Sequence, residues 1–391
     1  MPPRSRRLAR RTAWWALLAD LIPLYAVYAL LFAENGLSDA QISALFAIWC
    51  VVGIVAEIPT GAVADRYSRR LSIAVASLLQ AAGYACWLAF PTFAGFAAGF
   101  ILWGTGGTFV SGAFEALLYD GLAADGVAHH YATVYGRLTA IGLVGQVAAA
   151  GAASVLFARG GYLLVGQASI AVCLAAAYAG WRLPEPSRYP GPHPAGIDDD
   201  LPAEPAKYLS LLRTGVTDAA RSRAVRTAIV AVALLTSLDG FEEYVPLLAH
   251  DWGLRTAAIP LATVGIPLVA AIGAAYGGAA DRLRPAALGF LLGAGGAALA
   301  AAAIFAGLAG LVAVTAYYAA YRIVLVVAGA RLQHRIESSA RATVTSVAGV
   351  GTDLAGVLLY GAWALGQLPF FAGLVVTLAV VLPRWLRDTA N

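Results

Sequence analysis

Residues 61–70 of the chain read Gly61-Ala62-Val63-Ala64-Asp65-Arg66-Tyr67-Ser68-Arg69-Arg70 and separate two long apolar segments. Gly61 lets a neighbouring helix approach its backbone closely. Asp65 can cap a helix N-terminus and interact with the positive end of its dipole. Arg69 follows four residues later, where it can pair with Asp65. The stretch therefore predicts a polar cluster between two consecutive membrane helices.

The composition of the whole chain agrees with a membrane protein. Of the 391 residues, 60% are hydrophobic and only 12% are charged, whereas about a quarter of the residues of a soluble protein are charged. This composition excludes soluble enzymes, disordered tails and nucleic-acid binders, so we expect the lipid bilayer as a partner and no nucleic acid. Cys50, Cys86 and Cys173 each lie inside an apolar run without paired spacing. Neither a disulfide framework nor a metal site is therefore expected.

Twelve apolar segments are long enough to cross a bilayer, which takes roughly 20 residues each. They lie near residues 12–33, 39–64, 70–90, 94–119, 132–158, 162–182, 224–249, 257–280, 285–307, 310–331, 342–366 and 368–384. We predict an all-α membrane protein with twelve transmembrane helices in two six-helix halves. The N-terminal half covers residues 1–182, the C-terminal half covers residues 224–391, and a proline-rich cytoplasmic linker, residues 183–223, joins them.

Two matches between the halves indicate an internal repeat. Gly36-Leu37-Ser38 corresponds to Gly253-Leu254-Arg255, and residues 61–66 correspond to Gly277-Gly278-Ala279-Ala280-Asp281-Arg282. Duplicated halves related by pseudo-two-fold symmetry are typical of carriers, which bind their solute near the membrane midplane. Positive charge alternates between the loops, and one side carries only Arg159 and Arg255. The positive-inside rule then places both termini and the linker in the cytoplasm of a multi-pass plasma-membrane protein.

Residues 61–70 resemble the signature loop of the major facilitator superfamily. That pattern is glycine, three small or apolar residues, aspartate, arginine, any residue, glycine and two basic residues; Ser68 stands where the second glycine is commonest. The resemblance covers essentially the whole chain and implies alternating access by a secondary transporter. It also implies a cytoplasmic gate made of Gly61, Asp65, Arg66, Arg69, Arg70, Asp120, Asp281 and Arg282. Alternatively, the arginines only mark topology.

Ionisable residues inside the spans are expensive and are therefore candidate functional residues. Asp20 in the first span, Arg322 in the tenth and Asp353 in the eleventh lie near the membrane centre. In the seventh span, Asp239 and Glu242 lie on either side of a glycine and precede a proline, so that span is expected to bend or break.

Arg322 has two possible roles: a buried ion pair with Asp353, or an anchor for a substrate carboxylate. Neighbouring aromatic residues favour the anchor, because aromatic rings beside opposite charges suit a solute with a ring and a zwitterionic end. We expect the solute to contact Asp20, Tyr25, Tyr28, Trp103, Gln146, Asp239, Glu242, Tyr318, Tyr321 and Arg322.

An acid in a partly dry cavity can carry a proton. We assign proton coupling to Asp20, Glu115 and Asp353, with Asp20 as the first choice. Glu115 has an alternative role, because it can form a structural tie with Glu57 and Arg137.

These residues favour a proton-coupled carrier, and we expect it to act as a monomer. The chain has no embedded histidine and no phosphate-binding loop, so neither an enzyme nor a primary pump is expected, and no cofactor is needed. The solute is expected to be a small aromatic or zwitterionic metabolite such as an amino acid. Two alternatives stay open: proton-coupled efflux of amphipathic drugs or secondary metabolites, and a receptor built on a carrier scaffold. The fifth span lacks the Gly-Pro motif common in proton-driven drug exporters, which weakens the efflux alternative.

Overall fold

A computed structural model describes residues 1–66, 68–111, 113–185, 217, 223–280, 283–334 and 341–386 of the chain. For residues 58, 61–66, 223–225, 228, 270, 274–280, 332–334 and 341–346 it gives the backbone alone. The elements formed by these described residues are all helical, which confirms the predicted all-α class. Asp281, Arg282 and most of the predicted linker lie outside the described residues.

Fourteen α-helices make up the described part of the chain. The first seven are α1 Pro3–Asp20, α2 Tyr28–Glu34, α3 Asp39–Arg66, α4 Arg69–Ala89, α5 Phe93–Val110, α6 Ala113–Ala123 and α7 Tyr131–Trp181. The others are α8 Arg223–Ser237, α9 Val245–Asp251, α10 Ile259–Thr263, α11 Gly265–Ala280, α12 Pro285–Phe305, α13 Gly307–His334 and α14 Arg341–Leu386. Short 3-10 segments occur at Pro23–Ala26, Ala128–His130, Leu238–Tyr244 and Thr256–Ala258.

Two of the helices are long enough for two spans and are broken in the middle. Helix α7 breaks at Gly160 (φ −156°, ψ 18°) and Gly161 (φ 58°, ψ −154°), and α14 breaks at Gln367 (φ 48°, ψ −144°). Among the described residues, nine helical stretches are long and apolar enough to cross a membrane, and two of these nine contain the breaks. The helix order therefore fits the twelve predicted spans of a multi-pass membrane protein.

The chain forms two compact units. The first comprises Met1–Asn35 and Ile48–Ser210, and the second comprises Gly36–Ala47 and Leu211–Asn391. Helix α3 thus begins in the second unit and continues in the first. The predicted division instead assigns residues 36–47 to the N-terminal half.

Helices α1, α6 and α7 pack around an apolar core in the first unit. Trp15 of α1 contacts Phe114 of α6 with ring centroids 4.6 Å apart, and buried Leu138 of α7 packs against the same cluster. A second, aromatic cluster contains Tyr28, Phe32, Trp87, Phe96 and Phe100. Within it the Trp87 indole N–H donates to the Phe96 carbonyl oxygen at 2.9 Å, so the one polar atom of this buried ring is satisfied.

The second unit has its own aromatic core around the 3-10 segment Leu238–Tyr244. Phe241 stacks on Phe371 with centroids 4.5 Å apart, and Tyr244 stacks on Trp363 at 4.1 Å. The Tyr244 hydroxyl also lies 2.7 Å from the Ser43 hydroxyl, which accounts for the grouping of the start of α3 with this unit.

Matching glycines follow α2 and α9. Gly36 has φ +84° and Gly253 has φ +86°, in the left-handed region where glycine carries no steric penalty. A Cβ added at either glycine would meet no atom within 4 Å. Backbone conformation, and not crowding, therefore requires glycine at both positions.

Candidate functional site

The first span is interrupted directly after Asp20. Helix α1 ends there, Ile22 is extended (φ −112°, ψ 98°) and the 3-10 segment begins at Pro23. Proline has no backbone N–H and drives the preceding residue out of the helical region. The Leu24 N–H donates to the Ser169 hydroxyl at 2.9 Å, so a side chain of α7 satisfies a donor freed by the break. The C-terminal end of α1 thus presents the Asp20 carboxylate.

Asp20 is held against α7 by a neutral partner. The Gln146 amide donates to Asp20 Oδ1 at 3.0 Å. A Cβ on Gly142 would lie 2.3 Å from Asp20 Oδ2, and a Cβ on Gly145 would lie 2.8 Å from the Leu17 carbonyl oxygen. These two glycines therefore allow α1 to approach α7 closely. Among the described residues Asp20 has no cationic partner, so a negative charge on it is uncompensated.

An aromatic group lies in the same unit. Tyr25 is 41% exposed, its ring centroid is 6.2 Å from that of Trp103, and Trp103 lies 5.3 Å from Trp49. The buried Trp103 indole N–H has no acceptor in the described part of the chain. The structure thus brings together Tyr25 and Trp103 of the predicted solute contacts, whereas Tyr28 is buried in the aromatic cluster.

The seventh span is also interrupted, as its sequence predicts. Helix α8 ends at Ser237 and the 3-10 segment Leu238–Tyr244 follows. The Tyr321 hydroxyl donates to the Leu235 carbonyl oxygen at 2.9 Å, which satisfies an acceptor in the last turn of α8. Tyr321 and Tyr318 are fully buried, so in this structure both pack beneath the break, although they were predicted to contact solute.

Arg322 forms an ion pair with Asp239 of this 3-10 segment. One guanidinium nitrogen, Nη2, lies 2.7 Å from Asp239 Oδ1 and 2.9 Å from Oδ2. The two side chains are 27% and 38% exposed, respectively. The guanidinium also lies 5.7 Å from the centre of the Tyr321 ring. Arg322 therefore already has a carboxylate partner, which is neither Asp353 nor a solute.

The position of Asp353 along its helix explains why it is not that partner. A Cβ on Gly240 would lie 2.7 Å from the Tyr360 hydroxyl, so Tyr360 is level with the broken segment. Asp353 precedes Tyr360 by seven residues, or about 10 Å along α14. Among the described residues Asp353 has no ion-pair partner.

Glu242 is the second predicted acid of the broken segment, and it is half-buried. Within the described residues it has neither an ion-pair nor a hydrogen-bond partner. The fully buried Tyr318, whose phenol is within electrostatic reach of Glu242, has a hydroxyl group without a partner among the described residues. This end of the 3-10 segment therefore combines an acid with an unsatisfied hydroxyl group.

Glu115 lies elsewhere, in the first turn of α6. Its Oε1 accepts a hydrogen bond from the Tyr135 hydroxyl at 2.7 Å, while Ser111 donates to Glu57 at 3.2 Å. Arg137 is exposed and has no ion-pair partner in the described part of the chain. The alternative of a tie between Glu115 and Arg137 is therefore not what the structure shows.

Part of the predicted gate is assembled at the start of α4. Arg69 and Asp120 form an ion pair at 2.5 Å, and their side chains are 6% and 0% exposed, respectively. Ser68 caps α4, since its hydroxyl accepts from the Leu71 N–H at 3.3 Å. Only the backbone of Gly61, Asp65 and Arg66 is described, and Asp281 and Arg282 lie outside the described residues.

Glu185 is a contact of this cluster that the sequence did not indicate. Its carboxylate accepts the backbone N–H groups of Arg69 at 3.0 Å and Arg70 at 3.3 Å and the Ser68 hydroxyl at 2.5 Å. The Arg70 side chain lies 3.5 Å away. An acid at a helix N-terminus is stabilised by the free N–H groups and the helix dipole.

Comparisons with known proteins extend over the whole chain. The sequence model described as Major Facilitator Superfamily matches residues 12–387. No curated protein matches the chain. A crystal structure of a mutant of the nucleoside transporter NupG is similar with a TM-score of 0.79 at 12% identity, covering 97% of this chain and 100% of that one.

Two further solved structures are similar. An auto-inhibited POT family peptide transporter has a TM-score of 0.72 at 15% identity and covers 98% of both chains. A D-xylose-proton symporter has a TM-score of 0.69 at 14% identity, covering 99% of this chain and 98% of that one. At these identities the likeness establishes a common fold.

Proposed function

Since the chain belongs to the Major Facilitator Superfamily and has its transporter fold, we propose that it is a secondary active transporter that moves a small organic solute by alternating access and is driven by protons. The observation that carries this proposal is the position of Asp20 at the break of the first span, where its partner is the neutral Gln146 amide. An acid without a compensating cation in a membrane gains most from taking up a proton. The similar D-xylose-proton symporter, by its name, also uses protons.

We further propose that the solute is a small aromatic or zwitterionic metabolite such as an amino acid. Tyr25 provides exposed aromatic surface in the first unit, next to the half-buried Trp103. In the second unit the broken segment provides both signs of charge, although Asp239 already neutralises the Arg322 guanidinium through Nη2. We place the protein as a monomer in the plasma membrane with both termini in the cytoplasm.

Purified protein in liposomes tests the coupling. An inward proton gradient should drive accumulation of radiolabelled phenylalanine, or of another member of an amino-acid panel, and a dye inside the vesicles should report the protons that enter with it. Asp20→Asn should abolish accumulation but retain exchange of labelled for unlabelled solute, because the variant keeps the hydrogen-bonding shape and loses the titratable group. Exchange also distinguishes a transporter from a receptor, which binds without moving solute.

Asp251→Asn is the matched control, since the Asp251 side chain is 70% exposed at the end of α9. This variant should accumulate solute like the unchanged protein. If Asp20→Asn still concentrates solute under a proton gradient, Asp20 does not carry the coupling proton.

A further inference from the structure

The charges of the second broken segment are not balanced. The 3-10 helix has three residues per turn, so Asp239 and Glu242 lie on the same side of it. Nη2 of Arg322 donates hydrogen bonds to both carboxylate oxygens of Asp239. Glu242 is not engaged in this way, because within the described residues no side chain or backbone group pairs with it. Beside Asp239 the segment has two further acids, Glu242 and Glu243, and Glu243 has an interaction of its own. Glu242 is within electrostatic reach of Arg322, but the positive charge of Arg322 is already neutralised by Asp239.

An independent observation indicates what is missing beside Glu242. Tyr318 is 0% exposed, and its hydroxyl has no hydrogen-bond partner among the described residues. The phenol is within electrostatic reach of Glu242, and its ring stacks on Phe241 with centroids 6.0 Å apart. A buried hydroxyl without a partner is costly. A hydrogen-bond donor on a bound ligand would donate to both the Glu242 carboxylate and the Tyr318 hydroxyl oxygen.

The two ends of a zwitterionic solute are therefore not equivalent at this segment. A carboxylate at the remaining Arg322 nitrogens would be a second anion on a guanidinium whose Nη2 is already bound to both oxygens of Asp239, and it would lie near the Glu242 carboxylate as well. An ammonium group meets Glu242 without breaking any existing pair, and it supplies the positive charge that a carboxylate in a membrane requires. Tyr318 is buried beneath the break in this structure, so the ammonium N–H groups can donate to its oxygen once the segment shifts to uncover the hydroxyl.

We propose that Glu242, supported by Tyr318, binds the ammonium group of the solute, so that the transported compounds are organic amines and a carboxylate is not required. This inference rests on the proposed transport function and specifies its substrate class. Glu242 then selects solutes that carry a positive charge. The ion pair between Arg322 and Asp239 stabilises the conformation of the broken segment.

Three compounds that share a phenyl ring and differ in charge provide the test: phenethylamine, phenylalanine and 3-phenylpropionate. Binding to the purified full chain in detergent is measured by calorimetry and by the shift in unfolding temperature. Phenethylamine and phenylalanine should bind, and 3-phenylpropionate should not. Glu242→Gln should weaken phenethylamine binding by about 10- to 100-fold, the range expected when a charged hydrogen bond is lost.

Two variants control for folding and position. Asp251→Asn removes an acid of the same unit whose side chain is 70% exposed at the end of α9, and should leave phenethylamine affinity unchanged. Tyr318→Phe should weaken binding by a smaller factor than Glu242→Gln. Each variant is first compared with the unchanged protein for its unfolding temperature without ligand, so that lost affinity is separated from lost structure.

The outcomes separate this inference from the transport function. Tighter binding of 3-phenylpropionate, absence of binding by both amines, or unchanged phenethylamine affinity in Glu242→Gln would each overturn the ammonium assignment. If Glu242 carries only a proton, the Glu242→Gln variant still binds the amines, but the pH dependence of binding is lost. That result would also overturn the ammonium assignment. Exchange of labelled 3-phenylpropionate across vesicles would refute the substrate class but support transport. Binding without exchange of any of the three compounds would refute transport and leave the ammonium site standing.

Discussion

The ion pair between Arg322 and Asp239 predicts a measurable coupling energy. A hydrogen bond to a charged group contributes about 1.5 to 3 kcal/mol, and here one guanidinium nitrogen contacts both carboxylate oxygens at 2.7 and 2.9 Å. Because the side chains are 27% and 38% exposed, part of this energy is screened. We expect a coupling of about 1 to 2 kcal/mol in a double-mutant cycle of Arg322→Ala and Asp239→Ala.

The assay is unfolding in detergent followed with a thiol-reactive dye. Cys50 and Cys173 are buried, whereas Cys86 is half-buried. In a Cys86→Ser background the dye therefore reports loss of structure without an introduced label. A second cycle, of Arg322→Ala with Asp353→Ala, is the control and should show a coupling within about 0.5 kcal/mol of zero. The reasoning is refuted if the Asp353 cycle shows the larger coupling, or if both cycles are additive.

Two further pairs of variants, each with its own control, test packing at other places. Asp120→Ala removes the carboxylate that pairs with the buried Arg69 and should lower stability by about 3 to 5 kcal/mol in the same dye assay. Arg70→Ala removes a pair whose side chains are 42% and 34% exposed and should cost less than about 1 kcal/mol. Equal losses would contradict the assigned burial. Gly145→Ala should destabilise the protein, since its Cβ would lie 2.8 Å from a backbone oxygen of α1, and Gly136→Ala on the same helix, with no atom within 4 Å, should not.

Local chemistry allowed several features to be predicted from the sequence. Gly240 and Pro246 predict the break in the seventh span, and the structure has a 3-10 segment there. The lengths of the apolar runs likewise predict two spans, near residues 132–158 and 162–182, within α7, which breaks at Gly160 and Gly161. Such features depend on residues close in sequence, so their backbone preferences are sufficient to indicate them.

Contacts between distant residues could not be predicted in this way. Depth along a span placed Arg322 and Asp353 together, but depth does not give the direction in which each side chain points around its helix. The structure pairs Arg322 with Asp239 instead. Glu185 was assigned to a proline-rich linker, and nothing in that composition indicates that it reaches the start of α4.

The break after Asp20 was missed although its signal is present. Pro23 restricts Ile22 to extended backbone, and Ile22 has that conformation in the structure. The apolar character of the span continues through the break, so hydropathy alone predicts one uninterrupted helix. A proline with an acid three residues before it is the pattern that could have indicated the break.

The glycines after α2 and α9 bear on the history of the chain. Their φ angles, +84° and +86°, agree although the side chains around them have diverged between the halves. If one ancestral half was copied and joined to itself, selection after the duplication acted on these two turns through backbone shape, since neither glycine contacts a side chain that could have constrained it. Traces of the duplication should then persist longest at glycine turns, and an ancestral single half reconstructed for this lineage should contain this turn.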